Sequence, residues 1–310
     1  MTNFDYKNAE VYFGEKFVPF SEANLSIASS PVLYGLSVYT VFSANWNERD
    51  KKLYIFRLKD HYDRLVDSAD IMDFHSFAEE WPWERFEKTM LELLRRNNVR
   101  ESVLVRITVY IDELVAGTKI HGLKNALSAY IYPMGQILPS EGVNLCISSW
   151  VRNADNSIPA KAKINGSYVN ASLMKNEAIL NGYDDAIALD HNGHVAESTV
   201  ANLFIVRKGC LATPDTSTDI LEGITRDTLI ELARSLGIAV EERSIDRTEL
   251  YKSSEAFLCG TSARITPIIS IDKRVVGNGK TGEITKRLMR AYDDIQNGNN
   301  ESFMKWCQTV

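Results

Sequence analysis

The chain has 310 residues, 45% of them hydrophobic and 25% charged, the balance of a soluble globular protein long enough for two cores. Its formal charge of -6 argues against a nucleic-acid-binding face and against a polybasic membrane anchor, which directs attention to small-molecule chemistry. The opening MTNFDYKNAEVYFGEKFVPF lacks the cationic start and apolar stretch of a secretory signal, no apolar run approaches a membrane span, and Cys146, Cys210, Cys259 and Cys307 form no CxxC pair, so a reduced, cytoplasmic protein is expected.

YGLSVYTVFSANW and KLYIF, aromatic and β-branched around the polar NERDKK, predict a hairpin. From Leu58 a stripe through Tyr62, Leu65, Ala69 and Met72 predicts a helix, and Trp83, Phe86, Met90, Leu93 and Leu94 predict a second one ended by Asn97-Asn98. VLVRITVYID and LSAYIYPM return to strands, so residues 1–134 are expected to form a small α+β domain. GQILPSEG loses both periodicities, which places a linker at 135–142 and a larger domain at 143–310.

That second part opens with a strand in NLCISSWV, the segment SIPAKAKINGSYVN, and a helix near 171–181 closed by Asn181-Gly182. DAIALD and HVAEST flank Asn192-Gly193 as a hairpin, which makes His191 and His194 shoulders of a turn, and no metal site is expected. NLFIVRKGCLATP reads as strands around a Lys-Gly turn, and GITRDTLIELARSLGIAVEE as helix, Gly stop and strand. A late helix with Ile284, Leu288, Ala291 and Ile295 on one face precedes a polar tail. No internal repeat is visible.

Five features could carry chemistry. In SIPAKAKINGSYVN an extended backbone would send Lys161 and Lys163 one way and Ala160, Ala162 and Ile164 the other, an arrangement that equally suits a wet strand edge. Glu197 follows a strand among small residues, where a buried carboxylate needs a cation or a proton donor, as a structural salt bridge also would. GITRD opens a helix whose Thr225 hydroxyl and N–H groups would suit a phosphate, and CGTSARITP ends a strand in residues that let backbone approach a ligand. Arg57 and Arg64 in IFRLKDHYDRL lie along one helix. Together these meet the needs of pyridoxal phosphate: a lysine for its aldehyde, an acid at its ring nitrogen, a donor at its ring oxygen and a phosphate cup.

The ordered blocks FRLKDHYDRL, SSWVRNADNSIPAKAKINGSYVNASLMKNEAILNGYDDAIALD, GHVAESTVANLF, LEGITRDTLIELARSLG and CGTSARITP resemble the class IV pyridoxal-phosphate aminotransferases, most closely their branched-chain amino-acid members, from about Tyr34 to Ile295. The resemblance implies a two-domain fold type IV enzyme. Its smaller N-terminal domain is α+β, its larger C-terminal domain has a β-barrel-like core flanked by helices, its active sites lie between the domains, and it forms a homodimer. It implies that Lys163, four residues after Pro159 and five before Tyr168, is the Schiff-base lysine, leaving Lys161 at the surface. Tyr168 would meet the cofactor's ring oxygen and Glu197 its pyridine nitrogen, while Arg64, rather than Arg57, would join Ile224, Thr225 and Thr261 around the phosphate. Tyr34, Tyr39, Arg106 and the backbone of Thr261 and Ser262 would bind substrate, with Arg106 accepting the distal carboxylate of glutamate.

The implied reaction moves the amino group of L-branched-chain or similar hydrophobic amino acids to 2-oxoglutarate, with amino and keto acids as partners and neither nucleic acid nor membrane. The chain departs from the family's usual YGxSVFEGIR: Tyr39 replaces Phe, and Thr40, Val41 and Ser43 replace Glu, Gly and Arg. Leu104 and Ile137 stand where branched-chain enzymes have pocket tyrosines, and Arg264 replaces a Glu. These departures leave open a D-amino-acid or (R)-amine transaminase, or a lyase like the aminodeoxychorismate lyases.

Overall fold

The computed structural model describes residues 4–135, 139 and 141–310, so Ile137 and part of the 135–142 linker lie outside the described residues. The chain divides into two compact units, one formed by residues up to Gly135 with Ala162–Gly166 and Asp294–Val310, the other by Gln136–Lys161 and Ser167–Asp293. This differs from the expected continuous division at 143–310, because two later segments pair with strands of the first unit.

In the first unit β1 (Glu10–Phe13) and β2 (Lys16–Pro19) form a hairpin, followed by the short helix α1 (Ser30–Tyr34). β3 (Ser37–Asn47) and β4 (Lys52–Phe56) pair antiparallel about the polar tip, as the flanking residues predict. α2 (Leu58–Ile71), α3 (Phe77–Glu80) and α4 (Trp83–Arg96) come next, then β5 (Val103–Ile111) and β6 (Asn125–Pro133). α2 buries Tyr62, Leu65 and Ala69, and α4 buries Phe86, Met90, Leu93 and Leu94, the stripes legible in the sequence. Asn97 ends α4 by donating its side-chain N–H to the Leu93 carbonyl at 2.8 Å. β3 is buried along both faces, so its polar residues need internal partners, and Thr40, Ser43 and Asn45 each have one. Its register with β5 sets Val41 opposite Arg106 and Ser43 opposite Leu104.

The second unit contains β7 (Val143–Ile147), α5 (Tyr168–Leu180), β8 (Asp185–Leu189), β9 (Val195–Ser198), β10 (Asn202–Arg207) and β11 (Cys210–Thr213). α6 (Ile224–Ser235), β12 (Val240–Glu242), α7 (Arg247–Leu250), β13 (Glu255–Gly260), β14 (Arg264–Ile271), β15 (Arg274–Val275) and α8 (Glu283–Gln296) complete it, the end of α8 grouping with the first unit. Its nine-stranded sheet is mixed, with β7 parallel to both β14 and β8, and the tight turn from β9 into β10 curls it. Leu145, Ile187, Leu203, Ile205 and Leu258 fill the core beneath. Lys208 and Gly209 both take positive φ between β10 and β11, the tight turn expected there. β8 and β9 also form the predicted hairpin, with His194 Nδ1 3.0 Å from an Asp246 carboxylate oxygen.

The C-terminal segment is no polar tail: β16 (Cys307–Thr309) pairs antiparallel with β4 and becomes the first strand of a seven-stranded antiparallel sheet, order β16-β4-β3-β5-β6-β1-β2. Trp306 explains why it docks. Its carbonyl accepts the Arg57 N–H at 2.7 Å, and its ring lies under the Arg57 guanidinium at 5.0 Å and edge-on to Phe56.

The lysine segment is a series of turns with a single bridge, Ile164 to Val38, and not the extended strand expected. Ala160, Ala162 and Ile164 are nevertheless buried, as the alternation required. Gly35 explains how the segment reaches β3: it has φ +69, and a Cβ there would stand 2.8 Å from the Cα of Gly166. Only glycine allows that approach.

Candidate active site

In the first unit, Lys163 is held by its backbone. The Tyr39 N–H donates to the Lys163 carbonyl at 2.9 Å, and the Lys163 N–H donates to the Ser68 hydroxyl at 3.1 Å. Ser68 in turn donates to the Arg64 carbonyl at 2.7 Å, so one hydroxyl on α2 couples the lysine to the helical turn that carries Arg64. Arg64 Nη2 donates to Thr40 Oγ1 at 3.2 Å. Arg57, by contrast, is ion-paired with Asp60 at 2.6 Å and engaged with Trp306.

Thr40 Oγ1 also lies 2.8 Å from Nδ1 of the fully buried His61. Burial holds the His61 imidazole well below its ordinary pKa, reinforced by the positive charges of Arg64, Arg57 and Lys163. The Thr40 hydroxyl, which accepts from Arg64, thus links that guanidinium to the neutral ring through a hydrogen bond with Nδ1.

Tyr39 lies between two cations, with the Arg106 guanidinium carbon 3.7 Å and Lys163 Nζ 4.9 Å from its ring centroid. Arg106 Nη2 donates to Asn165 Oδ1 at 2.5 Å, and Asn165 Nδ2 donates to the Ser37 hydroxyl at 2.7 Å. The β3–β5 register puts Val41 and Leu104 on the same face as Tyr39 and Arg106. Tyr34 ends α1 and is exposed.

In the second unit, Glu197 is buried on β9, and its carboxylate meets the Arg152 guanidinium at 2.6 Å. Asn202 Nδ2 donates to the other carboxylate oxygen at 2.9 Å, and the Leu221 N–H approaches it at 3.3 Å. Asn202 Nδ2 also donates to the Leu221 carbonyl at 2.9 Å, which ties the acid to the loop ahead of α6. Gly223 caps that helix without a side chain, and a Cβ on it would fall 2.0 Å from Asn202 Oδ1. Ile224 and Thr225 follow at the start of the helix, both buried, with the Thr225 hydroxyl 3.4 Å from that of Tyr292. Burial pushes the Tyr292 hydroxyl up to about 12.

Thr261 and Ser262 lie in the turn between β13 and β14, where the missing side chain of Gly260 faces Ala201 and the Val200 carbonyl. Arg264 closes that turn at φ 51 and pairs with Asp293 on α8 at 2.5 Å. Tyr168 is the first residue of α5, the helix that anchors the stretch leading to Arg152: Glu177 accepts from the Ser148 hydroxyl and the Ser149 N–H, and Asn170 donates to the Val151 carbonyl. Lys161 Nζ donates to the carbonyls of Thr216 and Ile220 in the loop ahead of α6 and remains about one-third exposed, at 32%.

The structure thus gathers Lys163, Arg64, Arg106 and Tyr39 in one unit, and Glu197 with the start of α6 in the other. Arg152, Asn202 and His61 were not singled out from the sequence. A signal existed for Arg152, since Glu197 called for a cation and SSWVRN contained one, but spacing alone does not join them.

Residues 37–271 match the model of the family described as amino-transferase class IV. A probable branched-chain-amino-acid aminotransferase of Aquifex aeolicus is 40% identical over 303 residues, 96% of each chain. Among solved structures, the branched-chain aminotransferase of Thermoproteus uzoniensis with norvaline is 38% identical with a TM-score of 0.91, covering 97% of this chain and 99% of that one. The branched-chain amino acid aminotransferase of Thermobaculum terrenum in its PLP-bound holo-form is 34% identical with a TM-score of 0.92, covering 98% of this chain and 99% of that one. The chain belongs to the class IV aminotransferases, a family of pyridoxal-phosphate-dependent enzymes with the type IV fold.

Proposed function

We propose that this aminotransferase moves the amino group of hydrophobic, branched-chain L-amino acids to 2-oxoglutarate, using Lys163 as its catalytic amine. The observation that carries the reading is the Ser68 hydroxyl, which accepts from the Lys163 backbone N–H and donates to the Arg64 carbonyl, fixing the backbone of both residues to one turn of α2. The relatives named for branched-chain substrates support the choice of donor.

The residues suit the cofactor. In one unit Lys163 supplies an amine and Arg64 a cation; in the other, Ile224, Thr225 and Thr261 offer hydroxyl and backbone N–H groups suited to an anion, and Glu197 is an acid ion-paired with Arg152. Gly223 lets the Asn202 side chain pack against the start of α6, which ties the acid's partner to that helix end. Pyridoxal phosphate supplies, when bound, an aldehyde that accepts the amino group and a ring that takes up the electrons released at the substrate's Cα.

Lys163 would hold the cofactor through its aldehyde, and its amine would move the proton at the substrate's Cα. Glu197 would face the cofactor's ring nitrogen and hold its proton there, and Tyr168 would donate to the ring oxygen. In the second unit Thr261 and Ser262 would offer backbone N–H groups to the substrate's α-carboxylate; in the first, Tyr34 and Tyr39 would contact its side chain. Arg106, steadied by Asn165 and stacked on Tyr39, accepts the distal carboxylate of glutamate.

The protein is further read as a cytoplasmic homodimer. Four unpaired thiols suit a reducing compartment, and the exposed Ile27, Val32 and Leu33 near α1 suit a subunit contact that sedimentation would test. Among the described residues no helix is long and apolar enough to cross a membrane.

The deciding experiment follows the visible absorbance of the cofactor-loaded enzyme during separate additions of L-leucine, D-alanine and an (R)-arylamine without acceptor. Bleaching by L-leucine alone is the expected result. Bleaching only by D-alanine or the arylamine would replace the branched-chain reading and make Thr40, Val41 and Leu104 marks of a different donor.

A further inference from the structure

Away from the residues assigned to transamination, three side chains of the first unit converge on one point. Asp73 lies just past α2, His75 in the turn before α3, and His121 in the connection between β5 and β6. His75 Nε2 and His121 Nδ1 are 2.7 Å apart, His121 Nδ1 is 2.8 Å from Asp73 Oδ2, and His75 Nε2 is 3.0 Å from Asp73 Oδ1. We propose that Asp73, His75 and His121 form a binding site for a divalent transition-metal ion of the zinc type, which ties the β5–β6 connection to the end of α2.

Proton counting favours a cation over a hydrogen-bonded cluster. Each of the two ring nitrogens carries at most one hydrogen, and an ionised carboxylate only accepts. If both nitrogens donate to Asp73, two N–H groups face each other at 2.7 Å; if either gives up its proton, a lone pair faces the carboxylate. No allocation satisfies all three contacts with unshared hydrogen bonds. A cation satisfies them together, because every donor atom then points a lone pair at it.

The donor set and its spacing agree with that. Two imidazoles and a carboxylate suit zinc, cobalt or nickel better than magnesium or calcium, which take oxygen. Ligand atoms around a tetrahedral zinc lie about 3.3 Å apart, so the edges of the triangle, now 2.7 to 3.0 Å, open by about 0.3 to 0.6 Å on binding. Both segments are anchored beside their ligands by buried apolar residues, Phe74 next to His75 and Leu123 two residues after His121. The buried Asn125 donates to the His75 carbonyl at 2.7 Å, which fixes one ligand's backbone to the start of β6. Asp73 sits at φ 57, the left-handed region that Asp tolerates, so the turn presents its carboxylate toward both rings. All three ligands are exposed, which leaves the remaining coordination positions to water.

The test is equilibrium dialysis of the cofactor-loaded protein against zinc chloride, with metal and protein quantified, beside His75→Ala/His121→Ala and Asp73→Asn. The wild type is expected to bind about one equivalent more than the double variant and to gain thermal stability with added zinc, as any ligand of the folded state provides. Asp73→Asn, which keeps the turn, is expected to weaken binding by about tenfold or more, and both variants should keep wild-type transaminase activity. Equal zinc uptake by the wild type and the double variant would overturn the proposal, since the metal would then reside elsewhere, for instance on the cysteines.

Discussion

The hydroxyl of Thr40 lies 2.8 Å from Nδ1 of His61, a buried imidazole whose neighbours Arg64, Arg57 and Lys163 are all cations. The Thr40 hydroxyl also accepts from Arg64 Nη2 at 3.2 Å, so it links the neutral ring to that guanidinium. Burial holds His61 below its ordinary pKa, so above about pH 6.5 it is neutral in both folded and unfolded chains. Below that value the unfolded chain takes up a proton that the folded chain refuses. Stability from this group is therefore lost as pH falls from about 6.5 toward the depressed folded value, by at most about 1.4 kcal/mol per pH unit. The fall in melting temperature between pH 7 and pH 5 should be smaller in His61→Gln than in the wild type; identical slopes would mean that His61 is protonated in the fold.

Lys163→Ala should reduce turnover by about 10⁴-fold or more and remove the visible absorbance of the bound cofactor. Lys161→Ala should leave both intact, because that amine is occupied by the Thr216 and Ile220 carbonyls. Steady-state rates and a spectrum of each variant suffice, and the reverse pattern would reassign the catalytic amine.

Glu197 and Arg152 separate catalysis from stability. Glu197→Gln keeps a side chain that can still face Asn202, so the fold should persist while turnover falls by about 100-fold or more. Arg152→Ala leaves a buried carboxylate without its cation and should cost about 3–5 kcal/mol in denaturant unfolding. Near-normal turnover in Glu197→Gln would reduce that acid to a structural salt bridge.

Gly35→Ala should destabilise the protein by about 1–3 kcal/mol and also lower turnover, since its Cβ would press on Gly166 and displace the turn that carries Lys163. Gly182→Ala is the control: its φ of +76 imposes similar strain, but nothing lies within 4 Å of the added carbon. Melting curves should shift in both variants and kcat only in the first.

Elements with a local cause were legible before the structure. The stripe Tyr62, Leu65, Ala69 on α2, the Lys208-Gly209 turn and the stop at Asn97 depend on neighbours within a turn or two of chain. The motif order around Lys163, Tyr168, Glu197 and Thr225 likewise carried the family and its cofactor. The lysine segment was harder to read. Its alternation predicted which residues are buried, but its turns follow from docking on β3 through Gly35, which no local pattern encodes.

By itself, then, the sequence determined the helices, the hairpins and the family, because periodicity, turn chemistry and ordered motifs are properties of nearby residues. Only the tertiary structure decided that Arg152 meets Glu197, that Thr40 joins His61 to Arg64, and that Cys307–Thr309 completes the sheet beside β4. Such pairings are selected by packing, and by the cost of burying a charge or a polar group alone. That cost is set by whatever the folded chain brings within 3 Å, however distant in sequence.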